Sequence, residues 1–431
     1  MTIQRPDLLR WLASCGATAV LMLLLGLGLT HVLDLYARPR PEPVPLWEGA
    51  PAVRDVRVLL ASGAERIRLR ADREVPVRDG QDRPLGSFSA AEWSIVQFDP
   101  TGGLRCGDEL WDAGAVTLTA QAGHWVWVSI ERSGQWSVGI ACPGRLTVEP
   151  DGTGQRLRVT NALDLETYTA CVVAGEVWPD FHREAYRVQA IAARTFAWYQ
   201  MLRRASSPYD VTSTEAAQVY QGLRFDATGR AATLATRATR GVVCTYLAGD
   251  TPAVFPTYYS AACGGVTQSA NVFGEAAPLP VLGGGVPCDY CSIAPGETYR
   301  WGAVSMPLAD VEQRLCAREP DLERLRPLAA VEAATRDEAG RLLRIRLTAT
   351  AGQTYEMDAE RFRLALGARV VRSAFCDIQM DTGVVTFANG RGFGHGVGLC
   401  QWGMEGQART GKRAGDILRY YYPGTILRRL Y

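Results

Sequence analysis

The chain has little of what marks several large protein classes. Lys+Arg (46) and Asp+Glu (45) nearly cancel over 431 residues, leaving a net charge of +1. Nothing in the bulk charge suits the whole molecule to nucleic acid or an acidic lipid surface, so any polyanion specificity has to be local. There is no internal repeat and no long low-complexity segment, which sets aside a repeat array or a disordered tract. Histidine is scarce, with four residues in all. What is present is apolar material: 47% hydrophobic against 21% charged positions, enough for two or three ordinary domains.

The longest apolar run lies near the N-terminus, from Cys15 to Leu33, preceded by Arg5 and Arg10. It is long enough to cross a hydrocarbon layer of roughly 30 Å. A cleaved signal peptide would have a shorter core and a small-residue cleavage site, whereas this run leads into His31, Asp34, Tyr36, Arg38 and Arg40. An uncleaved transmembrane anchor is expected. Leu12-Ala13-Ser14-Cys15 looks like a lipoprotein signal, but the apolar stretch follows the cysteine instead of preceding it. The Pro-rich segment Pro39 to Pro45 fits a stiff spacer. Arginines flank both ends of the span, so its orientation has to come from function.

Eleven cysteines suit an exported protein better than a reduced cytosolic one. The odd count leaves at least one unpaired or acting as a ligand, with Cys15 in the span the obvious choice. Cys106 with Cys142, and Cys316 with Cys376, could each form a disulfide.

The expected fold class is α+β in three parts. Residues 1–50 form the anchor and spacer, 51–160 a small β-rich domain, and 161–431 a mixed α/β catalytic region. Strand patterns such as Val56-Arg57-Val58-Leu59-Leu60, Arg66-Ile67-Arg68-Leu69-Arg70 and Trp125-Val126-Trp127-Val128 fill the second part. No chemistry is evident there, and its only histidine, His124, has an ordinary role. Asp164 can cap a helix carrying Leu165, Tyr168, Val172 and Val173 on one face, ended by Pro179. A second helix, with an Ala-rich middle, is expected from about His182 to Arg203. Beyond Val211, strands at Val242 to Tyr246, Leu343 to Thr348 and Val384 to Ala388 alternate with short helices at Ala309 to Arg318 and Ala414 to Tyr422.

Three segments are candidates for chemistry. In Val173-Ala174-Gly175-Glu176-Val177-Trp178-Pro179 one carboxylate sits at a helix C-terminus beside apolar residues. The negative end of the helix dipole and partial desolvation both disfavour its ionisation, as a general acid requires. The plain alternative is a surface glutamate near a helix end. In Gly392-Phe393-Gly394-His395-Gly396-Val397-Gly398-Leu399-Cys400-Gln401-Trp402-Gly403, alternate glycines allow close backbone approach. No Lys-Ser/Thr follows, so this is not a nucleotide loop. A histidine among glycines is more often structural, although here it could face a cleft. The third segment is Tyr258-Tyr259-Ser260-Ala261-Ala262-Cys263-Gly264-Gly265, followed by Cys288-Asp289-Tyr290-Cys291. With Cys400, these cysteines could complete a four-cysteine zinc site, or pair as disulfides.

Together the segments resemble the stage II sporulation protein D family, which includes lytic transglycosylases and amidase-enhancer proteins. The resemblance runs from about Leu163 to Tyr431 in six ordered motifs. They are Leu165-Glu166-Thr167-Tyr168 with Val172 to Glu176, Gln189-Ala190 through Ala193-Arg194-Thr195, and Gln218-Val219-Tyr220-Gln221-Gly222. Then follow Tyr259-Ser260 with Gly264-Gly265, Gly394-His395-Gly396-Val397-Gly398 with Gln401, and Tyr421-Tyr422-Pro423-Gly424.

The resemblance implies that Glu176 is the catalytic glutamate and Arg194 the active-site arginine of the second helix. Tyr220, Tyr259, Ser260, Gly264, Gly265, His395 and Gln401 would line a glycan-binding cleft. It implies cleavage of the MurNAc-GlcNAc bond of peptide-free strands to a 1,6-anhydro end, with no required cofactor. Cys263, Cys288, Cys291 and Cys400 remain candidate ligands of a structural zinc. Some family members carry a zinc site of Cys and His just before the Gln-Val-Tyr motif, where this chain has Thr212, Ser213, Thr214 and Glu215. The expected partners are peptidoglycan glycan, the membrane through the N-terminal helix, and a cell-wall amidase, with no nucleic acid. The globular part is expected on the extracytoplasmic side of the cell membrane. The alternative to an enzyme is a glycan-binding enhancer of an N-acetylmuramoyl-L-alanine amidase.

Overall fold

The computed structural model describes residues 44–45, 55–89, 91–99, 103–151, 156–215, 217–273 and 279–431. The apolar run Cys15 to Leu33 and most of the spacer lie outside them. Among the described residues no helix is long and apolar enough to cross a membrane. The architecture is mixed α+β. Among the described residues, one compact unit holds 55–176 and 200–233, and the other holds 44–45, 177–199 and 234–431. The chain therefore does not divide at residue 160: the strand Leu157–Leu163 runs directly into helix α1 (Leu165–Glu176), and both belong to the first unit.

The first unit is built on two seven-stranded sheets. In one, Val56–Ala64 lies between Leu157–Leu163, antiparallel, and the short strand Val211–Thr212, parallel. In the other, Ile67–Ala71 lies between Val126–Arg132 and Ser94–Phe98. Period-two alternation explains this strand: Ile67, Leu69 and Ala71 are buried, while the intervening side chains leave the opposite face. There Arg68 stacks on Trp93 and Trp136, at 4.6 and 4.9 Å from the ring centroids. Arg70 stacks on Trp93 and Trp127, both at 5.3 Å. The region is thus bound by a cation–π ladder whose rings Trp93, Trp127 and Trp136 come from three separate segments.

Helix α1 starts where its sequence says it should. Asp164 Oδ1 accepts the backbone N–H groups of Glu166 and Thr167 at 3.1 and 3.0 Å, satisfying two donors that a helix start leaves orphaned. Tyr168, Cys171, Val172 and Val173 bury its inner face.

Helix α2 (Arg183–Arg203), which lies in the second unit as far as Tyr199, buries Ala185, Val188, Ala192 and Phe196, and the small residues permit close packing. The strand Val242–Ala248 pairs with Thr251–Val254 on one side and Ile426–Arg429 on the other. Two three-stranded sheets, one centred on Val384–Ala388 and the other on Leu342–Ala349, share a core with helices α4 (Leu308–Arg318) and α5 (Ala359–Leu366). Three helices were not expected from the sequence: α3 (Ala227–Ala238), α5, and α6 (Gln401–Arg409). The last opens inside the glycine-rich motif. Helix α7 (Ala414–Tyr421) stops just before Pro423-Gly424.

Neither expected disulfide forms. All ten described cysteines are free and buried. Cys316 and Cys376 fill the shared apolar core of the second unit. Burial pushes the Cys106 and Cys376 thiols up to about 12, so they act as small core hydrophobes.

Candidate functional site

Glu176 is the last residue of α1 and is partly exposed. The backbone N–H of Val219 donates to its Oε1 at 2.7 Å. The helix end is also held by Arg224, whose Nη1 donates to Ala174 O at 2.9 Å, satisfying a terminal carbonyl. Gly175 permits this approach, because a Cβ there would meet Val219 O at 2.7 Å. The Gln-Val-Tyr motif therefore positions the carboxylate through main chain.

The same motif supplies framework on either side. Tyr168 Oη donates to Gln218 at 2.8 Å, and the Tyr168 and Tyr220 rings stack with centroids 5.7 Å apart. Burial first, and then the Glu176 charge, push the Tyr168 phenol well above its ordinary range. Tyr220 is fully buried and donates to Asn161 Oδ1 at 2.6 Å. The Tyr220 hydroxyl is thus engaged inside the first unit.

In the second unit several expected site residues also prove internal. Arg194 is fully buried, and its guanidinium donates to the carbonyls of Val242 (3.1 Å), Thr236 (3.3 Å) and Ala190 (3.4 Å). Bound to main chain in this way, it braces α2 against its neighbours and does not face solvent. Gln401 is buried, with Nε2 donating to Gln189 Oε1 at 3.4 Å, so two motifs 212 residues apart meet by packing. Ser260 accepts the Gly396 N–H at 3.2 Å. Gly264 lies against main chain, where a Cβ would meet the Arg391 carbonyl carbon at 2.8 Å, and Gly265 O accepts the Cys288 N–H at 2.8 Å. Tyr259, half-buried, pairs in parallel with Leu399.

His395 is half-buried between the rings of Phe273 and Tyr258, at 5.1 and 6.2 Å. Its Nδ1 accepts the Val397 N–H at 2.9 Å, which fits a neutral ring. Burial lowers it from the ordinary histidine value to about 4, although the Glu360 carboxylate pulls the other way. It packs between two rings and holds the Val397 backbone. Trp178, which the sequence offered only as a neighbour of Glu176, is half exposed (50%), with its ring 5.9 Å from Trp402.

Four cysteines converge in the second unit. The Sγ atoms of Cys263, Cys288, Cys291 and Cys400 lie within 4.8 Å of one another, and all four residues are fully buried. Parallel pairing of Tyr259–Ser260 with Leu399–Cys400 brings Cys263 near Cys400. The other two flank the start of the 3₁₀ turn Asp289–Ile293. Cys263 and Cys291 are 3.8 Å apart. Hydrogen bonds with Cys263 and its neighbours hold the Cys291 thiol far below its ordinary range. The Cys263 thiol is pushed up by hydrogen bonding with Cys288 and Cys291, and the Cys400 thiol by burial.

Known proteins bear on this arrangement. The sequence model of a family described as "Stage II sporulation protein" matches residues 153–246, the stretch that holds Glu176 and the Val219 N–H that orients it. Stage II sporulation protein D of Bacillus subtilis is 28% identical over 276 residues, covering 61% of this chain and 74% of that protein. The chain belongs to the stage II sporulation protein D family. An uncharacterized protein of Brachyspira hyodysenteriae is 34% identical over 272 residues, 62% of this chain and 67% of the other. The amidase enhancer of Bacillus subtilis is 36% identical over 74 residues, which are 17% of this chain and 10% of the enhancer. Family membership points the work of this chain to the cell wall.

Proposed function

We propose that this member of the stage II sporulation protein D family is a peptidoglycan lytic transglycosylase with Glu176 as its acid and then its base. The observation that carries the reading is the carboxylate at the end of α1, partly exposed and oriented by the Val219 N–H at 2.7 Å. Glu176 donates its proton to the glycosidic oxygen between MurNAc and GlcNAc as that bond breaks. The resulting carboxylate then takes the proton of the sugar's own C6 hydroxyl while that oxygen closes onto C1, giving the 1,6-anhydro end. No water is activated, so the second carboxylate that a hydrolase normally needs is not required.

The test is Glu176→Gln, assayed on sacculi stripped of stem peptides, with products read by mass spectrometry. The amide keeps an oxygen for the Val219 N–H but cannot supply the proton. Release of anhydro-ended sugars should fall by about 10²–10⁴-fold. Undiminished release by a folded variant would remove Glu176 from the chemistry.

A second reading, enhancement of a cell-wall amidase, is supported by the 36% identity to an amidase enhancer. Under that reading Glu176→Gln still stimulates the amidase, and the isolated protein releases no sugar. In either case we place the globular part outside the cytoplasmic membrane, tethered through Cys15 to Leu33. Release of the full chain from membranes by alkaline carbonate would overturn the tether.

A further inference from the structure

We infer that Cys263, Cys288, Cys291 and Cys400 hold a structural zinc ion. This stands on the geometry of the second unit alone and is independent of the role of Glu176. A zinc ion bound by four thiolates at about 2.3 Å in a tetrahedron sets its sulfurs about 3.8 Å apart. Cys263 and Cys291 show that separation, 3.8 Å, and the whole set lies within 4.8 Å. A disulfide would bring two sulfurs to about 2.05 Å, and all four are free.

The surroundings fit an anionic metal centre. Cys400 Sγ accepts two backbone N–H groups, from Cys263 and from Gly403, each at 3.3 Å. Cys400 is also the N-cap of α6. Tyr421 Oη lies 3.0 Å from Cys288 Sγ. Helix α6 comes this close only because position 403 is glycine: a Cβ there would meet Tyr421 Oη at 2.0 Å and Cys288 Sγ at 2.5 Å.

A second observation concerns Arg341, which is 1% exposed. Its Nη2 donates to the carbonyls of Cys263 (2.7 Å) and Val266 (3.0 Å), while its Nε and Nη1 have no hydrogen-bond partner. A buried guanidinium needs compensating negative charge. Four thiolates around Zn²⁺ carry a net charge of −2, which adds to that of the Asp337 and Glu360 carboxylates that also favour the Arg341 charge.

The site is closed, with four protein ligands and no open position, so the ion is structural and does not act on substrate. It joins the turn after Tyr259-Ser260, the Asp289–Ile293 turn and the start of α6, and so fixes the segments that carry Gly264-Gly265 and the Gly394-to-Gly398 loop. The affinity of such a site is also folding free energy.

The experiment is elemental analysis of the full chain purified without added metal, together with the visible spectrum after exchange with Co²⁺. One zinc per chain and the charge-transfer and tetrahedral d–d bands of a cobalt tetrathiolate are expected. Cys291→Ser should abolish stoichiometric zinc, while Cys244→Ser, a buried thiol outside the cluster, should retain it. Because a ligand variant can fail to fold, the decisive reading is on the unaltered chain. Absence of metal with disulfides among the four in a mass measurement would overturn the inference. So would stoichiometric iron, or a cobalt spectrum of fewer than four thiolates.

Discussion

The carboxylate at the end of α1 and the cysteine cluster of the second unit are placed by opposite means. Glu176 is partly exposed and oriented by a main-chain N–H, next to a glycine that lets that segment approach. The four cysteines are fully buried, and Cys400 Sγ accepts two backbone N–H groups. An acid that must meet a polymer needs orientation with access. A metal that ties loops together needs enclosure. On the proposed readings, the first arrangement should lose its chemistry without losing its fold, and the second should not.

The largest effect should come from the enclosed site. Removing the zinc, or replacing Cys291 with serine, should cost several kcal/mol and abolish hydrogen-exchange protection around 259–265 and 399–409, while the strand Leu157–Leu163 stays protected. Uniform loss of protection across both units would break the contrast. Next comes Glu176→Gln, with its loss of about 10²–10⁴-fold in product release. A thermal midpoint within about 2 °C of the parent would sharpen the separation of chemistry from stability.

A smaller effect is expected from His395. Its folded-state value of about 4 lies below the ordinary 6.5, so the unfolded chain binds more protons between the two. Its contribution to stability is present in full above about pH 6.5 and is lost as pH falls through about 4. Urea midpoints of the parent and of His395→Gln between pH 7 and pH 4 should therefore converge on acidification. Parallel curves would show that the ring is not held neutral by its surroundings. The smallest effect belongs to the α1 cap. Asp164→Ala should destabilise by about 1 kcal/mol, read by urea denaturation.

Local periodicity was enough for much of the fold. The α2 and α4 helices and the Val384–Ala388 strand fall within a residue of the bounds expected, because caps, prolines and alternation act over a few residues. Helix α6 was missed because its first turn carries glycine, a poor helix former, and what favours it there is tertiary: Gly403 and Gly406 let it lie against the segment that bears Cys288 and Tyr290. The disulfides expected for Cys106, Cys142, Cys316 and Cys376 failed for a related reason. Spacing cannot distinguish a thiol that meets a partner from one that fills a core.

By itself the sequence determined the family, through motifs whose order survives any uncertainty about structure, and it marked Glu176 at the end of a helix. It also singled out the residues around the carboxylate and the cysteines without saying what each does. Only the tertiary structure shows that Arg194, Tyr220 and Gln401 are buried and His395 half-buried, because burial and hydrogen-bond partners are properties of distant segments brought together. It likewise decided that four cysteines from Cys263 to Cys400 converge within 4.8 Å, since strand pairing and helix packing, not proximity along the chain, set that distance.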